Sequence, residues 1–317
     1  MPLLQIFAHR YRIGQVAPSG SPVKARTVEA ALRSVGQTFA ALGQRDPRLQ
    51  ASGRLDFRLH RQLQAYTKAD PPPTRVKPIP LQVLQLAVTQ CYRTQPPEAH
   101  AAAHMLILGF FFLLRPGEYA HTDNADASPF RLCDVHLIVM NRRINPLTCS
   151  DNDLQATNFV GLEFTKQKNG VRGEIVGLGR SGHHMLCPVR AMIARISHLR
   201  LYRANPTTPI YAAHTHCGWI NITTTTLTQH LRTALSAIQY EVGVTPLDIS
   251  VRSLRASGAM ALLCAEVDTD RIRLLGRWRS DEMLRYLHVQ AFPIVAPLAS
   301  QMVRHSFYSF FPNSNMG

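Results

Sequence analysis

Two arginines, Arg115 and Arg255, lie in sequence contexts where a guanidinium needs an anionic partner. Arg115 directly follows the apolar segment 105–114, and Glu118 lies three residues further on. A charge beside a buried helix costs free energy unless it is paired. Glu118 serves either as the ion-pair partner of Arg115 or as the group that orients its planar fork toward a phosphate. The sequence leaves both interpretations open.

The second arginine site contains Arg252 and Arg255, three residues apart in the sequence VRSLRASGA. On a helix, residues at this spacing share a face. Two guanidinium groups among small and apolar side chains repel each other unless an anion lies between them. This segment therefore predicts an anion-binding site.

Lys166 and Tyr286 are two further candidates. Lys166 lies in TKQKNG, where Asn169-Gly170 is a hairpin-turn sequence between two strand-like segments. Tyr286 follows the sequence LLGRWRSDEMLR, in which Gly276 ends one helix before the next begins. Lysines near turns usually serve solubility, and a tyrosine on an apolar helix face is usually part of the core. Neither residue is decisive by itself.

The charge of the chain indicates a polyanionic partner. Its 317 residues contain 35 Lys and Arg against 20 Asp and Glu, a formal net charge of +15. When Lys and Arg side chains neutralise the phosphates of a nucleic acid, counterions are released and binding is driven. The composition therefore favours binding to nucleic acid. A merely basic globular protein is the alternative interpretation.

The cysteine and apolar patterns exclude several classes. Six cysteines contain no C-x-x-C pair, which is typical of neither a disulfide framework nor a zinc ribbon and suits a reducing compartment. His214, His216 and Cys217 lack a second pair of ligands, so no metal site and no cofactor is expected. No signal peptide is visible, and residues 105–114 are about half the length that spans a bilayer. We expect an intracellular protein without a membrane partner.

The chain divides at the Pro-rich sequence DPPPT, residues 70–74. Before it, apolar residues at helical spacing over 27–42 and 55–66 predict a small, basic, helical domain, residues 1–72, followed by a linker over 73–79. Its basic faces either lie on DNA or are solvated, and the sequence leaves both interpretations open. Residues 80–317 are the second predicted domain, described next.

In that second domain, helices are predicted from Pro80 and over 97–114, and strands over 136–140, 159–164 and 174–178. From Pro188 onward the pattern is helical again, ending in a tail over 297–311. This order predicts an α+β fold that is mostly helical, with a small antiparallel sheet.

Taken together, these residues resemble the tyrosine recombinase (phage integrase) family, over residues 80–288 well and over the first seventy residues loosely. The family has an arginine with an acid three residues on, a hairpin lysine, a His-x-x-Arg helix, and a His or Trp nine residues before a nucleophilic tyrosine. Arg115 with Glu118, Lys166, Arg255 and Tyr286 match these elements in order. Each motif is weak alone, and the ordered set is specific.

Two positions depart from the family pattern. Arg252 stands where the family has the histidine of His-x-x-Arg, and Arg277 stands at the His-or-Trp position, beside Trp278. A guanidinium donates hydrogen bonds to phosphate oxygens but is no base near neutral pH. The resemblance is closest to the recombinases of eukaryotic mobile elements, which are similar to this chain in having arginine at the second position.

The resemblance implies site-specific DNA recombination or integration through a covalent 3′-phosphotyrosyl intermediate, without a cofactor. It also implies that residues 1–72 are a DNA-binding domain and residues 80–317 the catalytic domain. Its implied partners are double-stranded DNA and further copies of the chain in a synaptic tetramer. The tail over 297–311 either docks on a neighbouring copy or packs on its own domain. A eukaryotic host would place the protein in the nucleus. The alternatives are a catalytically inactive DNA-binding protein derived from a recombinase and a type IB topoisomerase-like enzyme.

Overall fold

The computed structural model describes residues 2–71, 77–94, 96–124, 127–165 and 173–278. The chain separates into two compact units, Met1–Thr74 and Arg75–Gly317. Lys166, Tyr286 and the tail over 297–311 lie outside the described residues. The domain roles assigned to residues 1–72 and 80–317, and the linker between them, stay predictions.

The first unit is built from three helices, α1 (Pro2–Arg12), α2 (Ala25–Ala41) and α3 (Phe57–Ala69). Its core is small, with Ala8, Val28, Leu32 and Leu59 buried. The predicted helices over 27–42 and 55–66 are confirmed as α2 and α3. The sequence analysis did not predict α1, whose buried face is limited to Ala8.

The second unit surrounds one buried helix, α5 (Pro97–Phe111), which packs against α4 (Leu81–Arg93). Residues 101–108 of α5 are all buried, so the helix is apolar on every side and belongs in the interior. Pro97 at its first turn lacks only an N–H that would have no partner inside the helix. The other described α-helices of this unit are α6 (Pro116–Tyr119), α7 (Asp151–Ala156), α8 (Pro188–Leu201), α9 (Thr224–Val242), α10 (Ser253–Cys264) and α11 (Thr269–Leu275).

Four antiparallel strands form the main sheet, in the order β2-β1-β3-β4. The strands are β1 (Val135–Val139), β2 (Arg142–Ile144), β3 (Phe159–Phe164) and β4 (Glu174–Gly179). Val160, Leu162 and Phe164 alternate along β3 and are buried. The mostly helical α+β prediction with a small antiparallel sheet is confirmed.

A second sheet corrects the prediction that the chain is helical from Pro188 onward. After α8, the strands β5 (Ala212–Thr215) and β6 (Gly218–Asn221) form an antiparallel hairpin. Each strand has four residues, which is too short for alternation to stand out in the sequence. Among the described helices, none is long and apolar enough to cross a membrane.

Gly258 allows α10 to approach the end of α5 closely. A Cβ atom built on Gly258 would lie 2.3 Å from the carbonyl oxygen of Phe110. A real Cβ does not approach backbone so closely, so only glycine permits this contact. It brings Arg255, one turn earlier on α10, to the carboxyl end of α5.

We expect Gly258→Ala to lower the free energy of unfolding by about 2 kcal/mol, because overpacking a close contact forces the two helices apart. Urea titration of the purified protein measures the change. Gly179→Ala is the matched control, since its Cβ would meet Asn158 O at an ordinary 3.8 Å. Equal stability of the two variants would show that the Gly258 contact does not restrict the packing of α10.

Candidate active site

The chain turns sharply between α5 and α6. Leu113 has a left-handed backbone with φ of +49°, and the Leu114 N–H donates to Gly109 O at 3.1 Å. Arg115 is the N-cap of α6, which begins at Pro116. Left-handed backbone is uncommon for leucine, so the turn depends on its surroundings for stability. The contacts of two arginines at this turn provide that support.

Arg255 is one of these two arginines. It is buried, and its Nη1 donates to Leu113 O at 2.7 Å while its Nη2 donates to Gly276 O. Its guanidinium carbon lies 4.3 Å from the centroid of the Trp278 ring, a cation–π contact. Arg255 therefore joins the end of α5 to the residues that follow α11.

Arg277 is the other arginine at the turn. Only 1% of its side chain is exposed, and its Nη1 donates to Phe112 O at 3.3 Å. Its guanidinium carbon lies 3.8 Å from the centroid of the Phe164 ring, at the end of β3. Burial lowers the pKa of Arg277 to about 10, and the carboxylate of Glu118 opposes this shift. The guanidinium is therefore still charged at neutral pH.

Glu118 connects the arginines on either side of it. Its Oε2 accepts from Arg277 Nη2 at 3.1 Å and from the backbone N–H of Arg115 at 2.7 Å, while its Oε1 accepts from Arg115 Nη1 at 3.2 Å. Glu118 is buried, whereas 32% of the Arg115 side chain is exposed. Glu118 is thus both the ion-pair partner of Arg115 and the group that orients it.

Arg252 lies outside this buried cluster. It is the exposed N-cap of α10 and lines a groove of about 500 Å³ that also includes Pro116, next to Arg115. The other residues of the groove are Thr122, Thr224, Thr225, Thr228, Gln229, Arg232, Ser250 and Val251. No described acidic residue lines it, so the groove presents hydroxyl, amide and guanidinium groups.

The structure thus brings together four of the predicted site residues, Arg115, Glu118, Arg255 and Arg277, and places Arg252 in the adjoining groove. The sequence predicted an anion between Arg252 and Arg255. In the structure, the charge of Arg255 is instead accommodated within the protein. Backbone carbonyl groups meet that charge in the interior, whereas Arg252 is exposed.

Three residues that support the site were not predicted. Leu113 supplies an acceptor carbonyl, Trp278 packs on Arg255, and Phe164 packs on Arg277. Trp278 was noted only as the neighbour of Arg277. Sequence patterns predict Leu113 and Phe164 only as apolar residues of a helix and a strand, because their contacts with the arginines join segments far apart in the chain.

The described residues do not bring three or more His, Cys, Asp or Glu side chains into a group that would hold a metal ion. His214 instead lies in a ring cluster, stacked on Tyr202 with 4.2 Å between the centroids and edge-on to Trp219.

We expect Glu118→Gln to lower the free energy of unfolding by about 3 kcal/mol, because it leaves the buried charge of Arg277 without its carboxylate. Asp270→Asn is the control: Asp270 pairs with Arg273 at 2.9 Å, but the two side chains are 71% and 42% exposed. Such a surface pair contributes about 0–1 kcal/mol. Equal losses in urea titrations would show that Glu118 has no special part in holding the cluster.

Comparison with solved structures identifies the fold of the chain. Neither the protein-family models nor the curated proteins include a match to this chain. Among solved structures, a Tn1549 transposon integrase variant in complex with transposon right end DNA aligns with a TM-score of 0.52 and 12% identity, over 96% of this chain and 84% of that one. The Tn1549 integrase in complex with circular intermediate DNA aligns with a TM-score of 0.50 and 11% identity, over 94% and 83%. The chain therefore has the tyrosine recombinase fold.

Proposed function

We propose that the chain is a site-specific DNA recombinase or integrase that cleaves and rejoins DNA through Tyr286. The observation that carries the proposal is the cluster of Arg115, Glu118, Arg255 and Arg277, built at one turn beside a groove that contains Arg252. A cluster of oriented guanidinium groups suits phosphoryl transfer, in which negative charge grows on non-bridging oxygens. The tyrosine recombinase fold and the ordered sequence motifs agree with this chemistry.

In the proposed reaction, the Tyr286 oxygen attacks a DNA phosphodiester. A Tyr–O–P bond forms, the bond from phosphorus to the 5′-oxygen breaks, and the tyrosyl proton is lost. Lys166 is the proposed general acid that protonates the leaving 5′-oxygen. The 5′-hydroxyl of a second DNA end then reverses the step, releasing tyrosine. The energy of the phosphodiester is kept in the phosphotyrosyl ester, so no cofactor is required.

The exposure of the arginines suggests different roles in this reaction. Arg115 is partly exposed, with its orientation set by Glu118, and Arg252 lies on the groove, so these two are the proposed phosphate ligands. A preorganised donor of this kind is worth about 3 kcal/mol in the transition state. Arg277 lies in the interior and is proposed as a positioning residue that acts through Glu118. Arg255, which donates to Leu113 O in the turn, is proposed as the further guanidinium of the cluster that stabilises the developing charge.

Double-stranded DNA is the proposed partner. The Tn1549 integrase structures are complexes with transposon right end DNA and with circular intermediate DNA. For this chain, the net charge of +15 and a groove without a described acidic residue support the same class of partner. Self-association in a synaptic tetramer, an origin in a mobile element and nuclear residence in a eukaryotic host are further parts of the proposal.

An inactive DNA-binding protein derived from a recombinase is the second candidate. It is favoured by the arginines at positions 252 and 277, where the family has imidazole or indole groups. Arg277 is also almost wholly buried and bonded to backbone carbonyls and Glu118. In this alternative, the arginine cluster stabilises the fold and the groove still binds DNA, but no strand is cut.

A suicide-substrate assay decides between these candidates. The protein is incubated with nicked duplexes drawn from the sequences that flank its gene, and a protein–DNA adduct that survives SDS is sought. We expect an adduct with the unaltered protein and none with Tyr286→Phe. Tyr240→Phe is the control, because Tyr240 is 94% exposed on α9 and has no place in the proposed mechanism. A duplex that is bound specifically but never forms an adduct would favour the inactive protein.

We expect Arg252→Gln to weaken DNA binding and to reduce the slope of log K against log[salt] by about 1, because one phosphate contact releases about one counterion. Fluorescence anisotropy over a series of salt concentrations measures both quantities. Arg271→Gln, which removes the same charge from an exposed position on α11, is the control. Identical slopes in the two variants would remove Arg252 from the proposed phosphate ligands.

A further inference from the structure

A second cavity of about 480 Å³ lies between α4, α5, α7, α8 and the residue that follows β4. Its volume is within the range of small-molecule sites, roughly 300–1,000 Å³. None of the residues that line it belongs to the arginine cluster or to the groove with Arg252. Its chemistry therefore stands independently of the proposed recombination.

Two arginines and a histidine line this cavity. Arg180, Arg190 and His184 line it, and no described aspartate or glutamate does. Arg180 is held in place, since its Nε donates to Thr157 O at 2.9 Å and its Nη2 to Gln155 O at 2.8 Å. A cavity lined by a fixed guanidinium, a second arginine and no described acid is an arrangement that an anion stabilises.

The inner wall of the cavity holds a buried polar group. His104, on α5, is 8% exposed, and its Nδ1 has no hydrogen-bond partner within the part of the chain that the structure describes. Burial, with the nearby Arg195 second, lowers the pKa of His104 well below its usual value, so its imidazole is neutral at physiological pH. Buried polar atoms in proteins are almost always bonded, so an unbonded imidazole nitrogen in a residue that lines the cavity is an unusual feature of this wall.

Another part of the cavity wall is aromatic and apolar rather than charged. Tyr92, whose ring centroid lies 5.8 Å from that of His104, and Met185 contribute aromatic and thioether surface. Burial raises the pKa of Tyr92 to about 12, so its hydroxyl remains a neutral hydrogen-bond donor. The cavity therefore combines an anion-binding end with a surface for an organic group.

We propose that this cavity binds a small organic phosphate monoester. Its phosphate would contact Arg180, Arg190 and His184, and its organic part would pack on Tyr92 and Met185 beside His104. A phosphate monoester carries a charge of about −1.5 to −2 at neutral pH, which suits two guanidinium groups better than a single carboxylate does. The volume also exceeds what inorganic phosphate alone would fill.

The test uses the full-length protein and calorimetric titration with three probes at matched ionic strength: AMP, adenosine and inorganic phosphate. We expect AMP to bind about tenfold or more tightly than inorganic phosphate, and adenosine not to bind in the same range. Arg190→Gln should weaken AMP binding about tenfold or more, because it removes a charge-assisted hydrogen bond from an exposed side chain. Arg271→Gln should leave AMP binding unchanged.

Circular dichroism confirms that both variants are folded. The proposal is wrong if AMP binds no better than adenosine, or if Arg190→Gln and Arg271→Gln bind AMP equally. It is also wrong if a short DNA duplex displaces AMP and Arg190→Gln weakens duplex binding to the same extent, since the cavity would then belong to a DNA-binding surface. None of these outcomes bears on the proposed adduct with Tyr286, which the suicide-substrate assay tests separately.

Discussion

The carbonyl groups of Phe112 and Leu113, directly after α5, are the constraint on which the arrangement of the arginines depends. They lie in a turn at the end of a helix that is buried along most of its length, and buried carbonyls need donors. Arg255 and Arg277 supply those donors, and their positive charge is favourable at the negative end of the helix dipole. The arginines are therefore part of the folded core as well as candidates for chemistry.

This double role explains why Glu118 is central. One carboxylate pairs with an arginine in the interior and with another that is partly exposed, so it links the stability of the fold to the orientation of Arg115. A group held in this way needs little reorganisation when charge develops on a substrate. The same link means that changes at Arg277 are expected to alter stability and activity together.

Some carboxylates elsewhere in the second unit are also paired with cationic side chains of the chain. Asp248, for example, accepts from Lys77 at 2.9 Å, which lowers the pKa of Asp248. Neither the groove with Arg252 nor the cavity with Arg180 is lined by a described acid. These two surfaces therefore present guanidinium groups without a described carboxylate in their lining, which is the basis of both proposals.

The sequence by itself determined the α+β fold class, most helices, three of the four strands of the main sheet and the residues of the arginine cluster. Those features follow from local periodicity and from motifs of fixed spacing, as in Val160, Leu162 and Phe164 of β3. It did not reveal β2 (Arg142–Ile144) or the hairpin β5–β6, because these strands are too short to show a period. Only the tertiary structure decided that Arg255 and Arg277 are buried and Arg252 exposed, because burial depends on contacts between segments distant in the chain, such as Leu113 with Arg255.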